Sequence, residues 1–111
     1  MERIDFLPLG SVVIVRGAVR KTMIIARGLA ADIEGQALVF DYAGCMYPEG
    51  LVGDKVGYFN HGDIARVVFE GFNDDDNTMM VDNINAWLTT VPYPRGGSMK
   101  DGEQVKSESG I

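Results

Sequence analysis

The chain has 111 residues and a mass of 12.1 kDa, room for one domain and little else. Hydrophobic residues make up 46% and charged residues 23%, a balance that excludes a disordered chain, a collagen and a coiled coil. The lone Cys45 excludes an internal disulfide framework and a cysteine zinc site. No apolar run approaches the roughly 18 residues of a membrane helix, and the N-terminal residues lack the basic and apolar regions of a signal peptide. These features lead us to expect a cytoplasmic domain without membrane insertion. The net charge of −6 is uneven: residues 1–30 carry five basic and two acidic side chains, the remainder five basic and fourteen acidic. An acidic whole argues against nucleic acid, whose phosphates need a basic footprint, and favours a basic or amphipathic protein partner.

Taken in chain order, Ser11 to Arg16 is short, β-branched and preceded by Gly10, and Thr22 to Arg27 follows a turn at Gly17–Lys21. Such residues fit a pleated surface, and the pair predicts a hairpin. Residues 29–35 read as a polar connection. The period of two in Gln36–Ala43 puts Leu38, Phe40 and Tyr42 on one face of a third strand. An irregular stretch from Gly44 to Gly57 contains Tyr47-Pro48-Glu49-Gly50. Asn60 with Asp63 three positions on suits a single helical or 3₁₀ turn. Ala65–Phe72 then predicts a half-buried strand, with Val67 and Phe69 pointing one way and Arg66 and Glu70 the other.

Met80, Ile84, Trp87, Leu88 and Val91 fall on one face of a helix over about 77–91, with Asp74, Asp75 and Asp76 at its positive end. The predicted fold is α+β: a small curled antiparallel β-meander of four to five strands, SH3-like or a half-barrel, with a C-terminal helix. Residues 1–94 form the expected domain. Residues 95–111, with four glycines, three serines and three apolar side chains, read as a flexible polar tail.

Few residues invite catalysis. His61 sits in a glycine-containing turn with Asn60 and Asp63, and turn capping explains both polar neighbours. Cys45 has no basic neighbour in sequence to make it a thiolate. Asp74-Asp75-Asp76-Asn77 lacks the alternating ligands and bidentate acid of a calcium loop. The glycines match no phosphate-binding motif. The reading is therefore a non-enzyme with no catalytic residue, no metal and no cofactor. Aromatic side chains are enriched at protein interfaces, and loops on a rigid sheet often carry binding. Tyr47, Pro48 and Glu49 are thus the expected contact loop, with Tyr42 and Phe59 as further interface candidates supporting it from the sheet.

The chain resembles a domain-of-unknown-function family, number 4176, of Gram-positive bacteria. The resemblance rests on Leu7-Pro8-Leu9-Gly10-Ser11-Val12-Val13, Met23 to Gly28, Asp41-Tyr42 through Tyr47-Pro48-Glu49-Gly50, and Phe59-Asn60-His61-Gly62-Asp63-Ile64 through Val67 to Phe72. It implies an association with type VII secretion loci that encode LXG toxins. The implied role is that of a cytoplasmic accessory protein, a chaperone-like adaptor whose partner is an LXG effector. The alternatives are an immunity protein against a neighbouring toxin and a small-barrel nucleic-acid binder using Arg16, Arg20, Lys21 and Arg27. The sequence carries no signal for an oligomeric state.

Overall fold

The computed structural model describes residues 2–97. Five strands and one helix follow in order: β1 (Val12–Val15), β2 (Lys21–Ile33), β3 (Gln36–Met46), β4 (Gly57–Phe59), a 3₁₀ turn at His61–Asp63, β5 (Ile64–Phe69) and α1 (Asp75–Leu88). The strands form one antiparallel sheet in the order β4-β3-β2-β1-β5. The last strand thus returns beside the first, as the curled meander requires. No ladder joins β4 to β5 among the described residues, so the sheet is open.

Residues 29–35 are strand and turn, not a polar connection. β2 runs on through Leu29, Ala30 and Ala31, and ten residue pairs with β3 end at Ile33 and Gln36. The turn between them uses Glu34 at φ 54° and Gly35 at φ 87°. Positive φ at both central positions matches the twist of the flanking strands, which is why two residues suffice here. The polar letters of this stretch belong to the far end of a long ribbon and its turn.

The core lies between the inner sheet face and α1. It gathers Val13, Val15, Ile24, Val39, Tyr42 and Phe59 from the strands, Phe6 from the N-terminal segment, and Val81, Ile84 and Leu88 from the helix. Asp74 caps α1 by accepting from the Asn77 amide at 3.1 Å, and Asp75 and Asp76 stand in the first turn, where carboxylates favour the helix dipole. The helix ends at Leu88, and its buried stripe includes Val81 in place of the expected Met80, which is exposed. Trp87 and Val91 are half-buried at the margin of the core.

The N-terminal segment is clamped onto the helix. Asn85 accepts from the Ile4 amide and donates to the Ile4 carbonyl, and Arg3 pairs with Asp82 at 2.7 Å. At the other end, the domain continues past Pro94. Val39 donates to the Pro94 carbonyl, Gly96 donates to the Val39 carbonyl, and Arg95 forms a parallel bridge with Val39. Arg95 and Gly96 therefore belong to the folded unit, because the edge of β3 beyond β4 has backbone groups for them to satisfy. The remainder of the expected tail, residues 98–111, lies outside the described residues.

Gly28 sits on β2 at φ 58°, and a Cβ there would run into the Ile84 side chain. Gly35 has a similar φ with open space around it. Gly35→Ala should therefore cost only the left-handed strain, about 1–2 kcal/mol. Gly28→Ala should cost about 2–4 kcal/mol, because overpacking against the helix is added. Chemical denaturation of the two variants side by side measures the difference.

Candidate protein-interaction face

Direct pairing across an antiparallel ladder puts partner residues on the same face. One row on the outer face reads Cys45, Met23, Val12, Phe69 across β3, β2, β1 and β5. Its neighbour reads Lys21, Ile14, Arg66. The turn after β3 rises beside these rows. Tyr47 donates its amide to the Lys21 carbonyl at 3.0 Å, and the Lys21 ammonium lies 6.0 Å from the centre of the Tyr47 ring. Glu49 is held by Arg20 from the preceding hairpin, and that contact depresses its pKa. The Tyr47–Pro48 peptide is cis.

Val12, Lys21, Met23, Tyr47, Val68 and Phe69 together line an open groove of about 520 Å³. Tyr47 is 44% exposed, and Pro48 and Glu49 are exposed beside it. Tyr42 and Phe59, by contrast, have 0% exposure. They stack on each other in the core with ring centres 5.3 Å apart and offer no side-chain surface to a partner. The structure thus brings Tyr47, Pro48 and Glu49 together and separates Tyr42 and Phe59 from them, because the inner face of β3 is the one the helix covers.

What sequence reasoning missed is β5. The strand was expected to be half-buried, yet Val67, Val68 and Phe69 are 43%, 38% and 61% exposed, and Phe72 beyond it is 80% exposed. Two register shifts against β1 explain this. Val12 pairs with Phe69 while Val13 pairs with Val67, so Val68 is an extra residue, and Ala65 is a second. Each such bulge breaks the alternation and re-aims side chains. Val68 and Phe69 consequently both line the outer groove. The available signal was the run Val67-Val68-Phe69 in the last strand of a meander, which has to be an edge.

The polar residues near His61 are linked by hydrogen bonds that support the 3₁₀ turn. The Tyr42 hydroxyl accepts from the Leu7 amide at 3.0 Å and lies 2.8 Å from His61 Nδ1. The hydroxyl thus joins the backbone of the N-terminal segment to the ring of the 3₁₀ turn. The buried Asp41 carboxylate accepts from the His61 amide at 2.8 Å and from Arg95 at 2.7 Å. Asp63 accepts from the Asn60 amide, closing the turn. Burial pushes the Cys45 thiol up, away from a reactive thiolate. No group of three or more His, Cys, Asp or Glu side chains among the described residues has the arrangement of a metal site. No helix among them is long and apolar enough to cross a membrane.

Burial raises the Tyr42 pKa well above its ordinary value, so the folded state prefers the protonated phenol. Stability from this group is complete below the unfolded value of about 10 and is lost as pH rises beyond it. Thermal midpoints should therefore fall above about pH 10. Tyr42→Phe should flatten that alkaline slope while costing about 1–3 kcal/mol at neutral pH, since Leu7 N–H and His61 Nδ1 lose their partner. Arg95→Ala should cost a similar amount, about 1–3 kcal/mol, by removing the cation from a buried carboxylate. Midpoints recorded across pH for wild type and both variants check these expectations.

No curated protein and no solved structure matches the chain. One family does, over residues 6–80, a span that starts at the buried Phe6 and takes in the whole sheet, the Tyr47 loop and the first turns of α1. By that match, the chain belongs to the family described as Domain of unknown function (DUF4176).

Proposed function

We propose that the chain is a non-enzymatic protein-binding module, a cytoplasmic accessory or chaperone-like adaptor for an LXG toxin exported by type VII secretion. The observation that carries the binding role is the exposed apolar surface of Tyr47, Val68 and Phe69, which line the outer groove together. A monomer gains nothing by leaving such groups in water, and contiguous exposed apolar surface marks interaction sites. The type VII assignment draws on the family resemblance, and the match over residues 6–80 supports that resemblance. The non-enzymatic assignment draws on His61, Asp41 and Asp63, whose hydrogen bonds serve the turn and the core.

In this reading Tyr47 and Phe69 anchor the partner, and the Arg20–Glu49 pair holds the loop that presents Tyr47. The test is co-expression with an LXG-domain protein. The wild type should co-purify with the LXG domain. Tyr47→Ala combined with Phe69→Ala should weaken the complex by at least about 2 kcal/mol, as for an interface hot spot. The same variant should keep its folding stability within about 1 kcal/mol, as for exposed positions. Retention of full binding by the double variant would refute the site. Binding to the toxin's catalytic domain instead of its LXG domain would make the protein an immunity factor.

A further inference from the structure

The outer face carries charge as well as apolar surface, and the two are ordered. Lys21 pairs with Ile14, and Ile14 pairs with Arg66, so two cations flank one aliphatic side chain across three adjacent strands. Their Cα atoms are about 10 Å apart at ordinary strand spacing. The row lies directly beside the apolar row of Met23, Val12 and Phe69. Both cations are exposed, and neither makes an ion pair with an acid among the described residues. Glu49, the acid nearest the groove loop, is committed to Arg20. In a chain of net charge −6, Lys21, over the Tyr47 ring, and Arg66, which also lines a shallow depression with Asp5 and His61, put two cations without an ion-pair partner on the face that exposes Tyr47 and Phe69.

We propose that the segment received by this face is acidic as well as apolar: its carboxylates lie over Lys21 and Arg66 while its apolar side chains fill the groove beside Tyr47 and Phe69. This deepens the protein-binding reading and rests on it. The charge argument runs opposite to the expectation from net charge, which favours a basic partner. Complementarity is decided at the contact, since screening limits each charge to roughly 8 Å at physiological salt. The acidic remainder of the molecule then repels the same segment elsewhere and fixes where it docks.

Two synthetic peptides test the proposal. They share one pattern of apolar positions and carry glutamate in one and lysine in the other at the polar positions. Titrated into the full chain by NMR, the glutamate peptide should give saturable shifts at Lys21, Met23, Tyr47 and Phe69, and the lysine peptide should not. Lys21→Glu and Arg66→Glu should each weaken the glutamate peptide severalfold, and together by about tenfold or more. Lys55→Glu, the same change of net charge at an exposed loop position, should leave it nearly unchanged. Equal affinity for the two peptides, preference for lysine, shifts confined to another face, or no saturable binding would overturn the proposal. So would concentration-dependent self-association through these residues, which would give the face to a second copy. Failure of the adaptor reading shows separately, as loss of co-purification with the LXG protein while the peptide preference stands.

Discussion

Tyr42 is the side chain on which the rest of the structure converges. Its ring stacks on Phe59 from β4 and meets Phe6 of the N-terminal segment edge-on, with centres 5.5 Å apart. Its hydroxyl joins the Leu7 amide to the His61 ring. One residue of β3 thus ties down the N-terminal segment, β4 and the 3₁₀ turn. A buried hydroxyl with two partners is specific in a way that apolar contact alone is not, because the unsatisfied alternative is costly. The 3₁₀ turn it fixes is what sends the chain from β4 to the opposite edge of the sheet. β5 lies where it does because His61 and Asp63 are held in place.

That dependence also separates the two faces. The buried carboxylates of Asp41 and Asp63, with Asn60 and Arg95 beside them, serve the turn and the β3 edge, and the buried Ser11 hydroxyl donates to the Pro8 carbonyl and accepts from the Gly71 amide. The groups with surface to offer, Tyr47, Val68, Phe69, Lys21 and Arg66, lie on or beside the outer sheet face instead. His61, Asp41 and Asp63 make the hydrogen bonds that hold the turn and the β3 edge. The outer face carries apolar and cationic side chains in their place.

Much of this was legible in the sequence, and the exceptions have physical causes. β-branched runs marked β1 and the start of β2, and the Asn60–Asp63 spacing marked the 3₁₀ turn. Leu29 to Ile33 was hidden because a strand at the exposed end of a ribbon carries polar and small residues, which read as a loop. Tyr42 and Phe59 looked like interface residues because composition does not distinguish an aromatic on the inner face from one on the outer. Tyr47, Pro48 and Glu49 were legible as a surface loop from glycine and proline alone. β5 was misjudged because two bulges interrupt the period of two on which half-burial was argued. The acidic net charge likewise concealed that Lys21 of β2 and Arg66 of β5 fall in one row, either side of Ile14.

The bulges in β5 bear on how a partner would be held. An edge strand with free backbone groups invites strand addition, and natural sheets blunt that hazard with bulges and charges. β5 has two extra residues and Arg66, so a regular ladder along its free side is disfavoured. The same bulges turn Val68 and Phe69 together onto the outer face, toward Tyr47 and Lys21. The geometry therefore weakens recognition through the backbone and strengthens recognition through side chains. Side-chain recognition is selective where backbone pairing is not, because it reads the size and charge of what it meets. On the proposed binding reading, a strand that guards its own edge while exposing an apolar and cationic face would favour contact through side chains over pairing through the backbone.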